Sequence, residues 1–134
     1  MSYVHPKLRA FTATLEELFH EVDAELENRY GGRFPLHPNR PRRGETFNPE
    51  MDGLFEVAPD FTIGLGSAKG RGYLVSLRVA TLEQVPAAEF EAIMTHAAEL
   101  VRERLPRFFP DRRLELVRDG PRFKITGDFS LGNL

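Results

Sequence analysis

Arg33, His37, Arg40, Arg42 and Arg43 fall in one run, residues 31 to 44, that contains no acidic residue. Guanidinium forks donate paired hydrogen bonds to carboxylate and phosphate oxygens, so several of them aimed from one ordered loop make an anion site. The same proline-broken, polar composition also suits a loop that simply faces water. Asn48, Glu50 and Asp52 follow before Gly53. Asn before Pro49 and Asp before Gly53 are turn residues, and two carboxylates two positions apart fall far short of a calcium ligand set. In a catalytic reading the arginines would hold an anionic substrate while His37, Glu50 or Asp52 supplied acid or base.

A second basic pair, Lys69 and Arg71, sits in the glycine-bearing stretch from Gly66 to Gly72. Glycine can free consecutive amides to form an anion nest, but the same glycines serve a tight hairpin turn. A strand pattern follows them, where phosphate-loop and dinucleotide motifs require a helix. The candidate anion-binding set is therefore Arg40, Arg42, Arg43, His37, Lys69 and Arg71.

Other chemistries have less support. Glu89, His96 and Glu103 recur every seven residues with Glu99 beside them, a spacing that matches no established metal motif. The chain has no cysteine, which excludes disulfides, thiolate zinc sites, iron–sulfur clusters and cysteine nucleophiles. None of Ser2, Ser67, Ser76 and Ser130 lies in a Gly-x-Ser-x-Gly elbow. No motif calls for a metal or a cofactor.

The elements that must position these residues are legible from periodicity. Leu8, Phe11, Leu15, Leu18, Phe19, Val22 and Leu26 recur at helical steps, with an acidic opposite face, and Gly31-Gly32 ends the helix. Pro6 suits its first position, while Thr14 with Glu17 offers a later start. Residues 31–53 hold no period, and Pro35, Pro38, Pro41 and Pro49 interrupt them; a connection this long is either functional or disordered. Alternation at Phe55 to Leu65 and at Tyr73 to Val79 predicts a hairpin. A second helix is expected from near Pro86 to just before Pro106, followed by strands at Leu114 to Val117 and Phe123 to Ile125 around Asp119-Gly120-Pro121.

The order α-β-β-α-β-β is a circular permutation of βαββαβ. It predicts an α+β fold, a permuted ferredoxin-like sandwich with two helices on one face of a four-stranded antiparallel sheet. Phe61, Ile63, Leu65, Tyr73, Val75, Leu77, Leu114, Leu116, Phe123 and Ile125 should face the helices. Thr62, Ser76, Arg78, Glu115, Lys124 and Thr126 should face water.

At 134 residues and 41% hydrophobic, residues 1–134 are expected to form one domain with its own core. No stretch reaches the roughly 20 apolar residues of a bilayer span, and the first residues lack a signal-peptide core, so no membrane role and a cytoplasmic location are expected. The balance of 18 basic and 20 acidic residues argues against a dedicated nucleic-acid binder. The aromatics assigned to the helix side argue against base stacking on the open sheet face.

The expected function is a small non-catalytic binding or regulatory module that engages an anionic ligand or protein partner. Self-association through the outer sheet face or an edge strand fits the same reading. The alternatives are a small enzyme acting on an anionic metabolite, and nucleic-acid contact through the two basic loops. In the module reading, replacing Arg40, Arg42 and Arg43 together by Ala should leave stability nearly intact.

Overall fold

The computed structural model describes residues 6–64 and 70–127. Helix α1 (Pro6–Tyr30) runs without a break, so Thr14 and Glu17 lie inside it and Pro6 opens it. Its apolar stripe, Phe11, Leu15, Leu18, Phe19, Val22 and Leu26, is buried. Helix α2 (Ala87–Phe108) contributes Ile93, Ala97, Leu100, Val101 and Leu105 to the same core. It runs through Pro106 instead of ending before it. A proline there removes one hydrogen bond from the last turn, and Pro106 and Arg102, the donor's would-be acceptor, are both exposed, so water satisfies what the helix loses.

Strands β1 (Phe55–Thr62), β2 (Gly72–Val79), β3 (Leu114–Asp119) and β4 (Arg122–Gly127) form one antiparallel sheet in the order β1-β2-β4-β3. Both helices pack on one face. The crossover through α2 leaves a gap between β2 and β3 that β4 fills, which is the arrangement a permuted βαββαβ order requires. The expected fold class and element order are observed.

Pro59 lies within β1, and the strand tolerates it because of where it points. Ala80 N–H donates to Leu54 O at 2.7 Å. The alternation then turns Val57 and Pro59 away from β2, toward the open edge, where a missing N–H costs no ladder bond.

Two expectations about the sheet faces are corrected. Phe61 and Ile63 are 57% and 64% exposed, not buried under the helices. The hairpin end of β1 projects past them, and Phe61 is left to pack edge-on against Tyr73 at 5.3 Å between ring centres. Lys124, assigned to the solvated face, is buried. Its ammonium lies 2.6 Å from Asp119 Oδ2 and donates to Gly70 O at 2.6 Å, so the charge leaves water only with partners in place.

The segment from 31 to 53 is folded onto the rest of the chain. Phe34 and Leu36 pack against the core. A single 3-10 turn, Pro49–Met51, is capped by the Asn48 side chain, which accepts the Glu50 N–H at 3.0 Å. At the tip Phe47 stands fully in solvent. Phe47→Ser is therefore expected to change unfolding free energy by less than about 0.5 kcal/mol in urea titration. A loss above about 1 kcal/mol would show that the ring packs in solution. Among the described residues no helix is long and apolar enough to cross a membrane.

Candidate functional site

Helix α1 carries Asp23 and Glu27 four residues apart, hence on one face one turn apart. They meet the open edge of β1. Asp23 Oδ2 accepts the Val57 N–H at 3.1 Å, and Glu27 Oε1 accepts the Leu54 N–H at 2.8 Å. The edge-facing Val57 donor that a further strand would otherwise pair, and the Leu54 donor just before the strand, are thus satisfied by carboxylates.

Arg43 enters this pair from the loop. Its Nη2 donates to Asp23 Oδ1 and, at 3.2 Å, to Glu27 Oε1; its Nη1 donates to Asp52 Oδ1 at 3.0 Å and to Pro49 O at 3.1 Å. Asp52 turns its other oxygen to the Gly44 N–H, the Thr46 N–H and the Thr46 hydroxyl at 3.2, 2.9 and 2.8 Å. Arg40 stitches the next layer. Its Nε donates to Gly53 O, and its Nη2 reaches the carbonyls of Glu50, Asp52 and Phe55 between 2.7 and 3.2 Å. Gly53 sits at φ +75°, and a Cβ there would come within 2.5 Å of Glu27 Oε1 and 2.8 Å of Arg43 Nε. Only glycine fits between them.

One guanidinium thus faces three carboxylates. Asp23 is fully buried, and burial pushes its pKa up to about 7 against the opposing pull of Arg43 and the Val57 N–H. Burial also acts to raise Asp52, but the Thr46, Arg43 and Gly44 donors outweigh it and hold that carboxyl below the usual range. Asp23 and Asp52 are out of contact with solvent, while Arg43 keeps 27% of its side chain exposed. The chemistry of the cluster is to lock the loop to α1 and β1.

The six sequence-predicted residues are therefore dispersed. Arg43 is spent inside the lock, and Arg40 commits its Nε and Nη2 to it. Their joint replacement would remove all of these bonds, so a loss of stability is expected where the sequence alone predicts little. Arg42 is exposed, and so is Arg71. Arg71 lies beyond the hairpin end of β1 while the loop joins its other end, and eight residues of strand span about 25 Å. The two basic loops therefore do not converge on one site. Lys69 lies outside the described residues. Asp52, named as a catalytic candidate, is buried and fully bonded.

His37 does share a groove with two guanidiniums. It lines a groove of about 360 Å³ together with Arg40, Arg78 and Thr81. The His37 N–H donates to Ala80 O at 2.8 Å, which pins the loop to the end of β2. The Asn39 N–H donates to His37 Nδ1 at 3.0 Å, so the neutral ring carries its proton on Nε2. Arg78 is held by Glu56 at 2.7 Å but keeps most of its side chain in solvent. No carboxylate lines the groove. Sequence reasoning did not join Arg78 to His37, although strand alternation had put Arg78 on the outer face.

A wider cleft of about 640 Å³ opens between α1 and α2. At its base the Tyr30 hydroxyl and His96 Nδ1 are 3.0 Å apart. Sequence spacing groups His96 only with glutamates of its own helix, whereas its partner lies 66 residues away.

Comparison with other proteins places the chain among relatives that carry no assigned activity. A family described as "Uncharacterised protein" matches residues 6–127. A protein of Borreliella burgdorferi (strain ATCC 35210 / DSM 4680 / CIP 102532 / B31), described as "Uncharacterized protein", is 41% identical over 123 residues, covering 92% of this chain and 96% of its own. No solved structure matches the chain.

Proposed function

The chain belongs to that family of uncharacterised proteins, and we propose that it is a cytoplasmic binding module whose ligand is a small anion held in the groove at His37, Arg40 and Arg78. The observation that carries this reading is the composition of the groove. Two guanidiniums, an imidazole N–H, an amide and a hydroxyl line it without a carboxylate. Arg40 spends its Nε and Nη2 on backbone carbonyls, which fixes the guanidinium plane and leaves Nη1 for a ligand. His37 is likewise held from two sides, through its own N–H and through Nδ1. Donors fixed in advance lose little entropy when a phosphate or carboxylate arrives.

Calorimetric titration with inorganic phosphate and with succinate tests this. Binding should weaken as salt rises, because the contacts are ionic and partly exposed. Arg78→Ala and His37→Ala should each lower affinity about tenfold, the scale of one charge-assisted hydrogen bond. Both variants should melt like the parent, since neither side chain supports the core. Binding of either anion that survives both substitutions unchanged would sink the assignment.

A further inference from the structure

The cleft between α1 and α2 is larger than the groove, and its volume is in the range of small-molecule sites. Its base is organised. The Tyr30 and His96 rings meet edge to face at 5.7 Å, and the bond at Nδ1 fixes the imidazole orientation. Among the described residues His96 Nε2 has no hydrogen-bond partner. Ala88 and Ala92 keep the α2 side of the cleft open.

Arg33, Arg104, Arg107 and Arg118 each pair with a glutamate. Arg29, on the α1 wall, has no ion-pair partner among the described residues. Its guanidinium rests 5.6 Å from the centre of the Tyr30 ring, which positions it at the cleft. Glu99, on the α2 wall, also has no ion-pair partner among the described residues. The two line one cleft with opposite charge and still do not meet. A cation and an anion held apart across a cleft complement a ligand that carries both charges in the reverse order.

We propose that this cleft is a second binding site, for a free amino acid. Its carboxylate faces Arg29 and its ammonium faces Glu99. The His96 imidazole and the Thr95 hydroxyl are the polar groups available to the ligand between them. Glu91 also lines the cleft but is engaged by Arg118 at 3.3 Å, so Glu99 is the acid left for the ammonium. The cleft is open to water, and screening limits each charge contact.

The test is an NMR titration of the isotope-labelled protein with L-glutamine, with acetate, and with methylammonium as the separate halves of a zwitterion. L-glutamine should give saturable shifts at Thr95 and at the His96 ring, with a dissociation constant on the order of 1 mM. Acetate and methylammonium should each bind at least about tenfold more weakly. Arg29→Gln and Glu99→Gln are surface changes that keep the fold, and each should weaken L-glutamine about tenfold. An equal response to acetate alone would overturn the proposal in favour of a plain anion site. Absence of saturation well above that concentration, or L-glutamine binding indifferent to both variants, would also overturn it. Acetate shifts confined to His37 and Arg78 would leave the groove reading standing and the cleft proposal refuted.

Discussion

Replacing Arg43 by Met should cost about 3–5 kcal/mol of unfolding free energy, the range seen when one partner of a buried ion pair is removed. The cost comes from what is left behind. Asp23, Glu27 and Asp52 would face one another with no counter-charge, and each would have to take up a proton or remain ionised away from water. The loss should also be local in its consequences. Without Arg43 the loop is no longer tied to α1, so limited proteolysis should cut near Arg42 well before the sheet unfolds. Arg42→Ala, one residue away on an exposed side chain, should fall within about 0.5 kcal/mol of the parent. Urea titration of the two variants decides it. An Arg43→Met protein within about 1 kcal/mol of the parent would show that the loop is held by something other than this cluster.

The same cluster should make the protein more stable in mild acid than in mild base. Asp23 has a folded pKa of about 7 against an ordinary carboxyl value of 3.8. Between those two values the folded chain holds a proton that the unfolded chain releases, so stability falls as pH rises through this window. The contribution of Asp23 is complete below its unfolded value and gone above about pH 7. Each pH unit inside the window is worth up to about 1.4 kcal/mol for one proton. Asp52 works in the other direction. Its folded pKa lies below 3.8, so its contribution is present at neutral pH and is lost only in stronger acid. Melting temperature should therefore climb as pH is lowered from 8 to 5, and turn down only in acid below the usual carboxylate range. The groups facing Asp23 are Arg43, Glu27 and the Val57 N–H. Asp23→Asn keeps an acceptor for that N–H but cannot titrate. The difference between the melting profiles of parent and variant isolates Asp23 from the histidines. A parent profile that is flat, or that rises toward pH 8, would refute the assignment.

Much of the fold was legible because it rests on repetition. The stripe from Phe11 to Leu26 and the alternation from Tyr73 to Val79 each report a local backbone period, and buried faces follow from that period. Asp119-Gly120-Pro121 likewise announced its turn, with Gly120 at positive φ. The split β2-α2-β3 connection then follows from element order and the rules of antiparallel pairing.

The candidate sites were less legible, for particular reasons. Asp23 and Glu27 belong to a helix face that reads as acidic and solvated, yet Asp23 abuts the buried Val22 and is itself buried. One clue was available, since Asp23 falls four residues after Phe19 and three before Leu26, at the edge of the apolar stripe. The identity of its partner was not available, because Arg43 is 20 residues away across a loop with no period. The arginine run was correctly singled out as cationic. Its direction was not readable: Arg43 turns inward to hold the loop, and Arg40 does so with its Nε and Nη2 while also lining the groove. Tyr30 and His96 show the same limit at a separation of 66 residues.

The sequence by itself determined the elements, their order and most of the faces that pack, because backbone dihedral preference and side-chain periodicity act between near neighbours. Only the tertiary structure decided which charges meet. Arg43 joins three carboxylates, Tyr30 joins His96, and His37 comes to line one groove with Arg78. Electrostatic and hydrogen-bond energies depend on separations of a few ångströms in space, and the packed chain alone sets those.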